Sequence, residues 1–309
     1  MIKRYTQPKD IYMSDNTTPN KEGINTIDIP SLEGNKMIAM NNLKEMIELV
    51  LYTGYLKGEQ PVSLIIVAKA ESGKTEVLSK FVKKNKGIAY ISDATSYGIL
   101  KNLLPDLKLG TLKHIIIPDL ISPLSRREST VKGFISFLNG LIEEGIVTIH
   151  TYATEITDAN IRCGVITAIT NEELRRHKRR FLGMGFMTRL LPFSYSYDKH
   201  TVIDILKSIM NKEYMVSEDF KLKFPKMDKE IKMGKEFSEK ILPYTVQLAE
   251  AYKTYGFRLQ KQLQRLMMAN ALKEGRTEVS IKDFEKVKNL TRWLNLEYNS
   301  LSVDSKQEV

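Results

Sequence analysis

Residues 62–75 read Val-Ser-Leu-Ile-Ile-Val-Ala-Lys-Ala-Glu-Ser-Gly-Lys-Thr. The apolar run Val62 to Val67 has the length and the β-branched content of a buried strand. A tight polar loop follows, and a helix opens at Lys74-Thr75. The phosphate-cradling pattern is Gly, four free residues, then Gly-Lys-Ser/Thr. Here Ala68 takes the first place and Gly73-Lys74-Thr75 completes the pattern. Alanine is tolerated there if the backbone does not need a positive φ. Gly73 lets backbone N–H groups come close to phosphate oxygens. Lys74 places a charge on the β/γ-phosphates, and Thr75 offers a hydroxyl to Mg²⁺. Ala68, Glu71, Ser72, Gly73, Lys74, Thr75 and Glu76 are therefore the candidates for holding a nucleotide.

At 309 residues the chain suits one large or two medium domains, and 42% hydrophobic residues suffice for a real core. No apolar run reaches the ~18 residues needed to span a bilayer. The first residues, Met-Ile-Lys-Arg-Tyr-Thr-Gln-Pro-Lys, lack the apolar centre of a signal peptide. The single cysteine, Cys163, excludes an internal disulfide framework, fits a reducing cytoplasm and reads as a packed core thiol. A net charge of +10 favours nucleic acid or an acidic surface as partner.

Outward from the loop, residues 1–36 read as a flexible arm interrupted by Pro8, Pro19 and Pro30. Residues 40–57 have the spacing of a helix with one apolar face, stopped by Gly58 and Pro61. A second strand is predicted at 87–92 and a short helix at 95–104, ending before Pro105. His114-Ile-Ile-Ile-Pro-Asp119-Leu120 is a β-branched strand with an acid at its carboxyl end. Asp119 there can hold Mg²⁺ through water, opposite Thr75. Leu120 stands where many ATPases carry the glutamate that polarises the attacking water, and Glu128 is the nearest substitute in sequence.

Residues 131–144 predict an amphipathic helix, and 146–162 a β-hairpin whose only fixed cation is Arg162. Cys163 to Ile169 reads as a core strand closed by Thr170-Asn171. Asn171 is then a γ-phosphate neighbour, the cap of the next helix, or both. The basic run Arg175, Arg176, His177, Lys178, Arg179 and Arg180 follows; its cations are candidates for nucleic-acid contact. Next come a turn, Arg189 and a strand. A helix is expected at 203–210, an exposed strand at Phe220–Phe224, and helices from 235 to 299 broken near Gly256 and Gly275. His150 reads as a strand surface residue. Trp293 reads as core of the C-terminal helices or an interface anchor.

The order of these pieces resembles the AAA+ ATPases, in particular the branch holding the minichromosome-maintenance helicases and MoxR-type ATPases. Gly-Phe-Arg258-Leu through Arg265-Leu-Met-Met-Ala-Asn-Ala to Val279-Ser-Ile-Lys-Asp283 is similar to that branch's lid. Gly-Phe-Met-Thr-Arg189-Leu looks like its arginine-finger element, and Ile161 to Asn171 like its sensor-1 strand. The resemblance covers roughly residues 40–295. It implies an α/β fold: a three-layer α/β/α P-loop core with a parallel sheet at 37–198, a helical lid at 199–300 and a frayed tail at 301–309.

It further implies ATP and Mg²⁺ at Lys74, Thr75 and Asp119, sensor 1 at Asn171, sensor 2 at Arg258 and a finger at Arg189 that reaches into a neighbour's site. A site completed by a second copy implies self-association, at least as a dimer or as a ring, a hexameric one among the options. The expected activity is ATP hydrolysis driving a motor, with DNA as client and no membrane. The alternatives are a MoxR-like protein remodeller and a nucleotide-gated scaffold with weak hydrolysis.

Overall fold

The computed structural model of the chain describes residues 38–93, 95–145, 149–151, 154–156, 161–212 and 219–294. These belong to the second of two units into which the chain divides, Asn35–Val309. The predicted arm and tail, most of the loop ends of the hairpin and the last predicted helical residues lie outside the described part.

Seven strands are described: β1 (Ser63–Val67), β2 (Ile88–Tyr90), β3 (His114–Ile117), β4 (Ile149–Thr151), β5 (Thr154–Ile156), β6 (Gly164–Ile169) and β7 (Leu190–Ser194). Five form one all-parallel sheet in the order β2-β3-β6-β1-β7. β4 and β5 pair antiparallel as the expected hairpin. Parallel sheets need apolar cover on both faces, and β1 shows it directly. Leu64 and Ile66 enter one apolar cluster while Ile65 and Val67 enter the other.

The first face is covered by α1 (Asn41–Thr53), α2 (Lys74–Lys80), α8 (Lys235–Tyr252), α9 (Phe257–Lys273) and α10 (Ile281–Thr291). The second is covered by α3 (Ser96–Lys108), α4 (Ile121–Leu124), α5 (Glu128–Asn139) and α6 (Asn171–Gly183). α7 (Lys199–Met210) joins β7 to the C-terminal helices. The breaks at Gly256 and Gly275 fall where the sequence placed them, both at positive φ. α9 packs along α1, so Met46 and Ile47 share one cluster with Leu263, Met267 and Val287. Trp293 stacks on Phe193 at 5.9 Å, and its carbonyl accepts from the Ser194 N–H at 2.9 Å, closing the open edge of β7. Among the described residues no helix is long and apolar enough to cross a membrane.

Three local expectations need correction. α3 runs through Pro105 to Lys108. A proline this near the helix end removes one backbone bond, and buried Leu107 holds the last turn down. Phe220–Phe224 is not a strand. Its backbone is held instead by Asn85, which donates to the Phe220 carbonyl at 2.7 Å and accepts from the Leu222 N–H at 2.8 Å, while Phe224 stacks on Tyr55. α6 is capped by Thr170, which accepts from the Glu173 N–H at 3.3 Å, so Asn171 is not the cap. Cys163 is buried as expected, and burial pushes its thiol pKa well up.

Candidate nucleotide site

β1 is buried throughout and delivers the chain to the loop at its carboxyl end. The loop leaves in register, with the Ala68 N–H on the Ile169 carbonyl at 3.4 Å. Positive φ occurs at Glu71 (59°) and Gly73 (81°) and not at Ala68. Alanine in place of the first glycine is therefore free of backbone strain, and the left-handed turns lie further along. A non-glycine residue in that region costs about 1 kcal/mol or more and points to a functional loop.

The Lys74 ammonium closes the loop. It donates to the Ala68 carbonyl at 3.0 Å, the Lys69 carbonyl at 2.6 Å and the Ser72 hydroxyl at 3.1 Å. Burial pushes the Lys74 pKa down, and the carboxylates of Asp119 and Glu172 pull it back up. Two phenols grip the loop, one of them buried. The Tyr195 and Tyr197 hydroxyls both donate to the Ser72 carbonyl, at 2.9 and 2.7 Å. A trans peptide holds its C=O and N–H on opposite sides. With the Ser72 carbonyl fixed toward the phenols, the Gly73 N–H points away from them.

Asp119 follows β3 after Pro118. One carboxylate oxygen accepts from the Ile121 N–H at 2.8 Å, which fixes the side chain. Leu120 turns the other way: it is buried, and its N–H bonds the Ala168 carbonyl at 3.1 Å. Position 120 is thus a core position here. Glu128 is paired with Lys132 at 2.9 Å on the surface of α5. Asn171, at the carboxyl end of β6, is buried, and its side-chain oxygen has no partner among the described residues. An orphaned buried acceptor costs roughly 1–3 kcal/mol and is a mark of functional sites.

The described residues hold no group of three or more His, Cys, Asp or Glu placed to bind a metal. Thr75 is exposed, and the Asp119 carboxylate has an oxygen beyond the one engaged by Ile121. That donor set does not cage a metal by itself. It fits Mg²⁺, which takes one or two protein oxygens and completes its shell with phosphates and water.

Arg189 and Arg258 lie elsewhere. Arg189 ends a short 3₁₀ turn at the amino end of β7, whose first residue, Leu190, pairs with Ser63. With Arg258 it lines a cleft of about 950 Å³ beside Gln60 to Val62, at the amino end of β1. Glu143, on the π-helical turn Gly140–Glu144 that closes α5, binds both: Arg189 Nε at 2.9 Å and Arg258 Nε at 2.5 Å. Glu144 adds a 2.5 Å contact to Arg189, and Thr188 accepts from Arg258 at 3.1 Å. A strand advances about 3.3 Å per residue, so the length of β1 separates this cleft from Lys74. Within one chain Arg258 does not converge with Lys74, Thr75 and Asp119.

The basic run lies on α6. Arg175, Arg176 and Arg179 are exposed, with Arg176 paired to Glu173 at 2.5 Å; Lys178 and Arg180 are half-buried. Glu172, Tyr195, Tyr197 and Glu143 escaped the sequence reading. A Tyr-Ser-Tyr run ending a strand was visible, but nothing tied it to the loop. No family model and no curated protein matches the chain.

Proposed function

We propose that the chain is a P-loop ATPase of the AAA+ kind that works as an oligomer on DNA. The observation that carries this reading is the loop itself. A lysine ammonium, drawn inward on two carbonyls and a hydroxyl, follows a left-handed Gly73 and feels the charge of Asp119, the acid just beyond the end of β3. The strand order supports it too: β6 lies between β1 and β3 and brings Asn171 beside the same loop as Asp119.

In this reading Lys74 exchanges its carbonyl partners for phosphate oxygens. Mg²⁺, held by Thr75 and Asp119, would neutralise charge on the phosphates. Asn171 has an unused acceptor with which to orient the attacking water. Phosphoryl transfer spreads negative charge over the γ-oxygens, and among the described residues Lys74 is the cation whose ammonium is drawn into this loop. Arg189 and Arg258, gathered at the opposite end of the sheet, serve the site of a second copy. Leu120 supplies no base, so hydrolysis is slow unless Glu172 or Asp119 takes that part.

Mg·ATP should raise the melting temperature of the chain and give phosphate release. Lys74→Ala should abolish the thermal shift and lower turnover at least a hundredfold. An unchanged melting temperature with ATP overturns the reading. Phosphate release no greater than that of Lys74→Ala, with binding intact, leaves the ATP-gated scaffold.

The exposed arginines of α6 favour DNA over a protein client. Affinity for DNA should fall about tenfold or more between 50 and 200 mM salt, since each neutralised phosphate releases counterions. Arg175→Glu with Arg179→Glu should flatten that slope. Salt-insensitive or absent DNA binding favours the protein remodeller.

A further inference from the structure

The arginine cleft carries two cations that its own acids do not answer. Five cations line it: Arg189, Lys253, Arg258, Lys261 and Arg265. Glu143 and Glu144 hold Arg189, Glu143 also holds Arg258, and Glu59 holds Arg265. Lys253 and Lys261 are exposed and have no acid partner among the described residues. Glu250, in the last turn of α8, is exposed but outside the lining. The rim adds Tyr255 and Phe257, exposed to 90% and 74%, with rings stacked at 5.7 Å.

The floor of the cleft is the outer edge of β7. Successive strand residues turn their N–H and C=O groups to opposite sides. The Tyr195 N–H bonds the Val67 carbonyl of β1, whereas the Ser194 N–H bonds the Trp293 carbonyl. Pro192 and Leu190 therefore face outward with Ser194, and both line the cleft. Proline at such a position fits an edge strand.

The chain leaves α10 along this edge. Trp293 bonds Ser194, and the Leu294 carbonyl accepts from the Tyr252 hydroxyl at 2.8 Å. Tyr252 lines the cleft too. From Ser194 back to Leu190 is about 13 Å of strand, so a chain running along the edge from Trp293 brings Glu297 opposite Leu190. Asn295-Leu-Glu-Tyr-Asn299 alternates polar and apolar residues as an added strand would. Residues 295–309 hold the acids Glu297, Asp304 and Glu308 against one cation, Lys306.

We propose that residues 295–309 of the chain itself fill the arginine cleft. Residues 295–299 lie antiparallel along the edge of β7 with Glu297 on Lys261, and the later acids answer Lys253. Tyr298 and Leu301 gain Tyr255 and Phe257 to pack on. The placement rests on the edge, the exit at Leu294 and the charge, and it holds whether or not the phosphate loop takes ATP. On the proposed function the segment is a restraint, since Arg258 becomes reachable only when it leaves.

The test is zero-length carbodiimide coupling of the unmodified full chain, which joins a carboxylate to a lysine amine only where the two touch, followed by peptide mass spectrometry. Links from Glu297, Asp304 or Glu308 to Lys253 or Lys261 are expected in the monomer, with a yield independent of protein concentration. They should fade as salt screens the pairs. Glu297→Lys should lose the link to Lys261, and Glu297→Lys combined with Lys261→Glu should restore a link between the two positions. Amides of residues 295–299 should exchange at least about tenfold more slowly than those of an unstructured peptide of that sequence.

Absent links overturn the proposal, as do links of these lysines confined to Glu143 or Glu144. So do links from residues 295–309 spread over lysines of the loop end such as Lys69 and Lys199. Links found only between two chains overturn it as well, because they seat another copy's segment in the cleft. Exchange at unstructured rates through 295–299 removes the added strand.

Discussion

Arg189→Ala should lower ATP turnover about a thousandfold while leaving Mg·ATP affinity within a few-fold of the unmodified chain, because a finger supplied from outside acts on charge that develops only in the transition state. Affinity survives because Lys74 and the loop are at the far end of β1 from Arg189. The fold survives as well. Glu143 keeps Arg258, and Glu144 is 61% exposed, so neither carboxylate is left buried alone. Arg189→Lys should recover little, since an ammonium cannot reproduce the two-sided grip of a guanidinium.

The decisive measurement is complementation. Asp119→Asn spoils a site and keeps its finger; Arg189→Ala spoils the finger and keeps its site. Mixed, they should regain part of the turnover that neither has alone. No recovery in a mixed oligomer of verified composition would remove Arg189 from the mechanism. On the proposed reading Arg189 has to leave Glu143 before it can act, so Glu143→Gln should raise turnover at low protein concentration, where assembly would limit the rate.

The second large effect concerns stability. His114 opens β3 fully buried, with Nε2 donating to the Val62 carbonyl at 3.2 Å and Nδ1 unpartnered among the described residues. Burial first, and the Lys113 charge to a lesser degree, lower its pKa to about 4, against the Val62 hydrogen bond, which raises it. The unfolded chain titrates near 6.5. Between those values the unfolded state binds the extra proton, so stability is complete above about pH 6.5 and declines as pH falls toward 4.

The loss should reach about 2 kcal/mol at pH 5. Denaturant midpoints at pH 7 and pH 5 measure it. His114→Gln, which keeps a donor for Val62 and cannot titrate, should remove that part of the slope; an unchanged slope would place the acid sensitivity elsewhere. Room for the ring depends on Gly164, where an added Cβ would meet the imidazole within 3 Å, so Gly164→Ala should destabilise at every pH.

Continuous apolar runs made β1, β3 and β6 legible, because central parallel strands are buried on both faces and leave nothing else for those residues to form. The acid and amide at their ends were legible for the same reason, since a strand's last residue marks the carboxyl rim of the sheet. Asn171 shows the limit. Its neighbour Thr170 is an equally good cap, and only the folded chain gives the capping bond to one and, among the described residues, the unpaired oxygen to the other. Phe220 and Phe224 alternate as a strand would, yet their backbone partners come from Asn85 and not from a neighbouring strand. The position of Arg258 was out of reach altogether. Sequence order says that it opens a helix after the sheet; which end of the sheet that helix start approaches is set by α9 packing along α1, through contacts more than two hundred residues apart.

The two phenols on the Ser72 carbonyl bear on the timing of the proposed reaction. With both lone pairs of that oxygen engaged, the Ser72–Gly73 peptide plane cannot flip without breaking two bonds together. The loop is therefore held in one shape before any ligand arrives, and that part of its ordering entropy is met during folding. Under the proposed function, nucleotide exchange should then need no slow backbone rearrangement at Ser72–Gly73, with departure set by the contacts that Lys74 makes and releases.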